Sequence, residues 1–402
     1  MIRLLPLCFR ASLIDVSALR YVSAPNGYTP AVRKELAGPV AMSICALIAA
    51  ACGIAGGSTP TETPPPEPTQ VEHAPTPAPT VEPVTTLLFT GDIIPARCTD
   101  AAVTALGGDW TLPFQALQPQ LSAADITIAT LDSTISAATV PTGCVETFSL
   151  GGVAAVADGL AYAGFDVISH AANHIKDCGA ASCGDQAMFD TIANLSAAGI
   201  RPVGSGENLT AARAPVVVER NGVYFAFLAY DDIAPYYQAT DTTAGSAPMD
   251  PATIAEDIAA AKKVANVVIV LPQWGIEYTT EPSERQREFA RAAVAAGADL
   301  IAGNHPHWAQ AHETIDGVFV AYAMGNFVFD QDWSLETQQG VMLEVTFTGT
   351  RVTATKYIPI HIHDNYQPRL ADPAEAAQIM DRIETASAPL AADITPSIDT
   401  TP

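Results

Sequence analysis

From about residue 85 the chain settles into short, unbroken apolar runs separated by stretches of helical period. The runs TTLLFT (85–90), ITIATL (126–131), FDVISH (165–170), VYFAFLAY (223–230), VVIVLP (267–272), DLIAG (299–303), VFVAYAM (318–324), VMLEVTF (341–347) and RVTATKYIPI (351–360) predict strands. Their apolar positions are successive rather than alternate, which reads as strands covered on both faces. Helices are expected between them. AVADGLAYAG ends at Gly164, and DQAMFDTIANLSAAG places Met188, Ile192 and Leu195 on one stripe before Gly199. Ser283-Glu284-Arg285-Gln286 is a capping box opening REFARAAVAAG, which stops at Gly297. This alternation predicts an α/β domain over 85–370. A further helix is expected over 373–386, within a terminal segment 371–402 whose tail reads as disordered.

The first 84 residues break that pattern. Arg33-Lys34 precede the apolar stretch LAGPVAMSICALIAAAC, ending at Cys52, which has the layout of an export signal. Ala50-Ala51-Cys52-Gly53 resembles a bacterial lipoprotein site with Cys52 as the lipidated residue, although Ala49 stands where leucine is usual. An ordinary signal peptide or an uncleaved anchor is the alternative. Residues 1–31 belong to no such signal and suit an upstream start, with Val32 at the initiation codon. Residues 1–52 are thus an upstream extension and leader. Residues 53–84, rich in Pro and Thr and without periodicity, read as an extended tether. The expected location is extracytoplasmic, at the cell membrane.

Composition narrows the function. With 49% hydrophobic and only 15% charged residues, the 402-residue chain can bury a large core. A net charge of −24 argues against nucleic acid, whose phosphates require a basic surface. The same charge opposes binding of any polyanion unless metal ions or a local basic patch intervene. Of seven cysteines, Cys8, Cys45 and Cys52 lie in the leader. The other four favour disulfides in an exported domain, Cys178 with Cys183 and Cys98 with Cys144. Zinc binding by these four is disfavoured, because they do not form two close pairs.

Polar residues recur where predicted strands end. Asp92 follows LLFTG, Asp132 follows ITIATL, Asn173-His174 follow DVISHAA, Gln273 follows VVIVLP, and His305 and His307 follow DLIAG. Alone, each is ordinary: an aspartate after a strand is usually a turn former, and His-Pro-His is a common enough turn. Five placements together point to one edge of a sheet, where α/β proteins bind ligands. Carboxylates, imidazoles and carboxamides suit zinc, manganese or iron. Two metals would need a bridging carboxylate, and two aspartates are available.

At this point the chain resembles a known family. GDIIPAR, TLDSTIS, SHAANHIKDCG, QWGIEY, AGADLIAGNHPHWAQ and AYAMGNFVFDQ occur in the order and spacing of the CapA proteins linked to poly-γ-glutamate capsule synthesis. That domain is similar to calcineurin-like metallophosphoesterases, and the resemblance covers about 85–365. It implies a metallophosphatase-like four-layer αββα sandwich with two mixed sheets, and one or two divalent metal ions (Mn²⁺, Zn²⁺, Fe²⁺ or Mg²⁺). It also implies that Asp92 binds a first metal, Asp132 bridges, and Asn173 binds a second. His305 would join the second metal and His307 the first. His174 would be the acid facing a leaving group. Arg97, Glu277, Asn326 and Asp330 match recurring positions, either lining the site or making salt bridges and turn hydrogen bonds.

Three departures weaken the ligand set. Ile94 stands where metallophosphoesterases have histidine, Gln273 where HWG is commoner, and Asp132 where glutamate is usual. A carboxamide oxygen binds more weakly than imidazole, so harder Mn²⁺ or Mg²⁺ gain ground. His361 and His363 alternate on one side of a predicted strand, either approaching the site or lying on an exposed edge, and His312 reads as surface. Two functions follow from the resemblance. One is an exported metal-dependent hydrolase of a phosphoester or amide. The other is a non-enzymatic component that binds, exports or anchors an anionic surface polymer through a degenerate metal site. Expected partners are that polymer or phosphoester, capsule synthesis and export proteins, and the membrane through the N-terminal anchor.

Overall fold

The unbroken apolar runs separate into two faces once folded. A computed structural model describes residues 82–392. The leader, Cys52, most of the linker and the last ten residues lie outside the described residues. The strands of the two large sheets are, in chain order, β1 Val84–Ile93, β2 Ile126–Leu131, β3 Val167–Ser169, β4 Arg201–Val203, β5 Val216–Arg220, β6 Val223–Asp231 and β7 Val267–Gln273. They continue with β8 Leu300–Ala302, β9 His312–Ile315, β10 Val318–Ala321, β11 Asn326–Val328, β12 Gln339–Thr348, β13 Arg351–His363 and β14 Gln367–Leu370. The longer helices are α1 Cys98–Ala105, α2 Val156–Ala163, α3 Gln186–Ala197, α4 Ile254–Ala261, α5 Glu284–Ala296 and α6 Pro373–Ala392.

Both sheets are mixed. The first has the order β14-β13-β12-β1-β2-β3-β4, with β11 paired to the end of β1. Its β1 to β4 run parallel, and β12 to β14 are antiparallel additions. The second has the order β9-β10-β8-β7-β6-β5, parallel from β10 to β6 with an antiparallel strand at each edge.

Side chains alternate across each strand, so each run feeds two cores. Leu87, Phe89, Ile126 and Ile128 of the first sheet meet Phe225, Phe227, Val267 and Ile269 of the second in a shared interior. The opposite faces of the first sheet, Leu88, Ala129 and Leu131, pack on Val103 of α1, Val156 and Leu160 of α2, and Leu195 of α3. Those of the second, Ala226, Leu228, Val268 and Val270, pack on Ile254 and Ile258 of α4 and Phe289 and Ala293 of α5. The result is helix, sheet, sheet, helix, the four-layer αββα arrangement with two mixed sheets. Helix α6 puts Ile379 and Ile383 into the shared interior and Ala386 and Leu390 into the outer core.

Local signals set the helix ends. Ser283 accepts from the Gln286 backbone while the Gln286 side chain returns to the Ser283 N–H, and Gly297 closes α5 in a left-handed conformation. Gly164 ends α2 in the same way. Strands β4, β5, β9 and β14 escaped the sequence reading. Each is short, all four lie at sheet edges, and all are partly exposed, so their apolar signal is diluted. The expected run 318–324 ends early, with β10 stopping at Ala321, and the unexpected β11 starts at Asn326 in the other sheet.

That crossing explains the glycine of GDIIPAR. The Asp92 N–H donates to the Gly325 carbonyl at 3.0 Å. A Cβ on Gly91 would stand 1.9 Å from that same oxygen, so no larger residue fits without moving backbone. Cys98 and Cys144 are joined with Cα atoms 4.0 Å apart, and Cys178 and Cys183 with theirs 6.1 Å apart. Among the described residues no helix is long and apolar enough to cross a membrane.

Candidate metal centre and cavity

The parallel strands of both sheets point their carboxyl ends to one side. Asp92 lies near the end of β1, Asp132 follows β2, and Asn173 and His174 lie in the loop after β3. Gln273 ends β7, and His305 and His307 follow β8. Asn304, unnoticed in the sequence, joins the sheets at this edge. Its amide N–H₂ donates to the Thr90 carbonyl at 3.2 Å and the Thr130 hydroxyl at 3.1 Å, while its carbonyl accepts from the Met324 N–H at 3.2 Å. Thr90 and Thr130 belong to the first sheet, and Asn304 follows a strand of the second. Asn304→Ala leaves these buried groups unpaired and is expected to destabilise the domain by about 1–3 kcal/mol. A denaturant titration reads this as a lower midpoint.

The histidine pair is held by strained backbone. His305 has φ of 102° and His307 of 60°, both left-handed, and Tyr278 and Arg97 nearby have φ of 61° and 54°. Pro306 fixes only its own φ, so the presentation of the two imidazoles rests on its neighbours. The His305 N–H donates to Asp92 Oδ2 at 3.2 Å, and the Pro306 carbonyl accepts from the Tyr278 N–H at 2.9 Å. Strain in non-glycine residues persists where the surroundings over-determine it, as at ligand sites.

Hydrogen bonding fixes the imidazole tautomers. Asn326 donates its amide to Gln331 Oε1 at 3.0 Å and to the Thr337 carbonyl at 2.9 Å. Its own oxygen must therefore accept from His307 Nδ1, 2.9 Å away, which leaves the Nε2 lone pair of His307 free. The His307 ring is flanked by Tyr278 and Phe329, at centroid distances of 6.1 and 5.6 Å. His174 Nδ1 faces Asp177 Oδ2 at 2.6 Å; a carboxylate only accepts, so Nδ1 carries the proton. Asp177 is in turn held by the Leu150 N–H at 2.7 Å.

Burial dominates the electrostatics. It drives the Asp92 carboxyl well above its usual range, helped by the charge of Asp132 and opposed by the His305 N–H and the Gln273 amide. Asp132 is raised to about 6, first by burial; His174 opposes this, and Asp231, Asp177 and Glu277 add to it. Burial lowers His305 well below its usual value and brings His307 to about 4, so both are neutral at pH 7. For His174 burial is the largest single influence and lowers the pKa, but Asp132, Asp177 and Glu277 together outweigh it and leave it raised.

A set of buried atoms here has no hydrogen-bond partner: Asp92 Oδ1, both oxygens of Asp132, Asn173 Oδ1, both amide atoms of Gln273, and His305 Nδ1. Gln273 lies beside Asp92 and influences it, yet its amide completes no hydrogen bond of good geometry. Orphaned carboxylate and carboxamide oxygens with one imidazole nitrogen are the donors a divalent cation requires, and the oxygen majority suits a hard one. Among the described residues, no three His, Cys, Asp or Glu side chains gather as a metal-holding group. The carboxamides Asn173 and Gln273 would have to complete any ligand set.

Of the strand-end residues, His174 and His307 line a cavity of about 610 Å³, whose walls also include Arg97, Glu277 and Asp330. Arg97 is both a wall and an ion pair: it binds Asp330 through two nitrogens, with Nε at 3.2 Å, and Asp330 also accepts from the Cys98 N–H at 2.8 Å. Its guanidinium lies 4.7 Å from the centre of the Phe329 ring. The Cys98–Cys144 disulfide borders the same cavity and ties its outer loop to α1.

Two residues were missed that could have been found. Asp177 is in the SHAANHIKDCG motif, three residues after His174. Asp231 ends β6 just as Gln273 ends β7; it is buried and raised to about 6, chiefly by burial. The predicted strand stopped one residue short of it. His361 and His363 are not brought to the cavity. Their rings stack 5.1 Å apart beside α6, where His361 Nδ1 lies 3.1 Å from Glu375 and His363 meets Arg369. His312 is half-buried rather than on the open surface, stacked on Phe319 with Nε2 3.5 Å from Glu384.

A sequence profile of the family described as bacterial capsule synthesis protein PGA_cap matches residues 86–331. The PGA biosynthesis protein CapA of Bacillus subtilis (strain 168) is 35% identical over 202 residues, covering 50% of this chain and 52% of that protein. The capsule biosynthesis protein CapA of Bacillus anthracis is 34% identical over 207 residues, 50% of this chain and 49% of that one. A probable polyglutamine synthesis accessory protein of Mycobacterium tuberculosis is 32% identical over 180 residues, 41% and 46% of the two chains. The chain thus spans about half the length of the curated relatives it matches. Among solved structures, a putative 5'-nucleotidase from Staphylococcus aureus is similar at 11% identity and TM-score 0.44, over 75% of this chain and 58% of that one. The NAD nucleotidase of Haemophilus influenzae is similar at 12% identity and TM-score 0.42, over 76% and 56%.

Proposed function

Because the chain belongs to the bacterial capsule synthesis protein family PGA_cap, we propose that it is an accessory protein of poly-γ-glutamate capsule assembly whose cavity is a cation-dependent hydrolytic site. The observation that carries this reading is the group of buried, unpartnered polar atoms on Asp92, Asp132, Asn173, Gln273 and His305. Left without partners such groups are costly, and a cation relieves the oxygens and the imidazole nitrogen, though not the Gln273 N–H₂. These residues, with His307 Nε2, would hold it, and Mn²⁺ or Mg²⁺ suits the oxygen-rich donors better than Zn²⁺ or Fe²⁺. When bound, the cation supplies positive charge that stabilises the negative charge developing on a phosphoryl oxygen.

The chain's own residues do the rest. Asp177 fixes the His174 proton at Nδ1, so Nε2 is the nitrogen available to the cavity. Burial lowers the His174 pKa but the charges of Asp132, Asp177 and Glu277 outweigh it, and the raised pKa favours the imidazolium, the form that donates from Nε2 to a leaving oxygen. Tyr278 and Phe329 hold the ring of His307, and Asn326 orients it. Arg97 orders the wall instead of contacting a substrate, because Asp330 occupies its guanidinium. Asp177→Asn keeps an oxygen facing the Leu150 N–H and His174 Nδ1 but removes the negative charge that helps raise the His174 pKa. Its kcat/KM is expected to fall by about 10²-fold with metal content unchanged.

The proposed setting is outside the cytoplasmic membrane, tethered through Cys52, beside capsule synthesis and export proteins. Two disulfides in the folded region support an oxidising compartment. The test is elemental analysis of the purified protein, then turnover of a generic phosphodiester with added Mn²⁺. Bound metal and turnover, both lost in Asp92→Ala and His307→Ala, are expected. No metal and no turnover in the unaltered protein would sink the hydrolytic reading. The absence of a tight group of three metal-binding side chains among the described residues favours a second reading, a non-enzymatic polymer-binding component. Binding of poly-γ-glutamate that survives both substitutions would favour that alternative.

A further inference from the structure

The cavity presents a charge opposite to the one expected of a site for a polyanion. Its exposed carboxylates Glu146, Glu277 and Asp332 make no ion pair among the described residues, and Arg97, the one Lys or Arg on its walls, is bound to Asp330. Aromatic side chains stand over the same mouth without cover. Phe148 is 85% exposed and Trp333 58%, and Trp333 meets the edge of Tyr278 at 6.0 Å. Large aromatics held in water beside a cavity mark a binding surface, and aromatic faces combined with carboxylates select a cation. We infer that the mouth of this cavity binds a primary ammonium group, the amino end of a glutamyl chain, in preference to the carboxylates along the chain. This rests on the capsule-polymer reading above and narrows it to one end of the polymer. A net charge of −24 repels internal glutamyl residues, whereas the terminal ammonium reverses the sign of the interaction at one point. Trp333 and Phe148 contribute ring faces, and Glu146, Glu277 and Asp332 contribute the counter-charge.

The test is calorimetric titration of the full chain with a short γ-linked glutamyl oligomer carrying a free amine, and with the same oligomer N-acetylated, both in EDTA. The free amine is expected to bind at least about tenfold more tightly, about 1.4 kcal/mol. That preference should disappear in Trp333→Ala and in the double variant Glu146→Gln, Asp332→Asn. Equal or tighter binding of the acetylated oligomer overturns the inference. A second probe, n-butylammonium, separates this from failure of the capsule reading. If n-butylammonium binds and depends on Trp333 while neither oligomer binds, the ammonium site stands and the glutamyl assignment is overturned. If it too fails to bind, the ammonium site is overturned whatever the phosphodiester assay shows. The substituted side chains are exposed, and an unchanged melting temperature checks that each variant is folded.

Discussion

Replacing Asp330 by alanine is expected to cost the domain about 3–5 kcal/mol, because it strands the buried guanidinium of Arg97 without its counter-charge. Arg97 keeps one hydrogen bond, to the Thr147 carbonyl at 3.1 Å, and its position over Phe329. Neither neutralises a full charge removed from water. The Cys98 N–H at the start of α1 also loses its acceptor. Chemical denaturation should show a large drop in midpoint with little change in slope. The double variant Arg97→Met, Asp330→Leu should recover most of the loss, since removing both charges leaves none buried alone. A mild effect of Asp330→Ala, below about 1 kcal/mol, would mean that water reaches the pair.

Asp132→Asn is expected to stabilise the metal-free protein at pH 7 and to abolish its stabilisation by metal. The Asp132 carboxyl rises from an ordinary aspartate value to about 6 on folding. It takes up a proton as the chain folds, so its contribution is complete below about pH 4 and is lost as the pH rises through about 6. At pH 7 the charged, unpartnered form is disfavoured by about 3 kcal/mol. Asp231, also raised to about 6, acts in the same direction and window. The metal-free wild type should therefore lose melting temperature between about pH 4 and 6, and Asp132→Asn should flatten part of that slope. Added Mn²⁺ should raise the wild-type melting temperature at pH 7 and leave the variant nearly unmoved. If Mn²⁺ stabilises both equally, Asp132 is not a ligand.

The two predictions differ in how far the sequence leads to them. Asp132 follows an apolar run in a recurring pattern, and its strand-end position was legible because side-chain chemistry and run length are local properties. Its elevated pKa was not legible, since that depends on burial and on Asp231, which lies 99 residues later and in the other sheet. The Arg97–Asp330 pair was visible only as two family positions with competing roles. Their separation of 233 residues hides that each is the other's partner.

By itself the sequence determined the alternation of strands and helices, the capped ends of α5, and the polar types that gather at the carboxyl ends. Capping, periodicity and turn preference act over a few residues, so neighbouring sequence suffices to specify them. The tertiary structure alone decided which face of each run joined which core, and that the run after β10 crosses to the other sheet. It also decided that His305 and His307 are held by left-handed backbone fixed from Asp92, Tyr278 and Asn326, and that the cavity mouth is acidic and aromatic. These depend on contacts between residues far apart in the chain, for which no local pattern carries a signal.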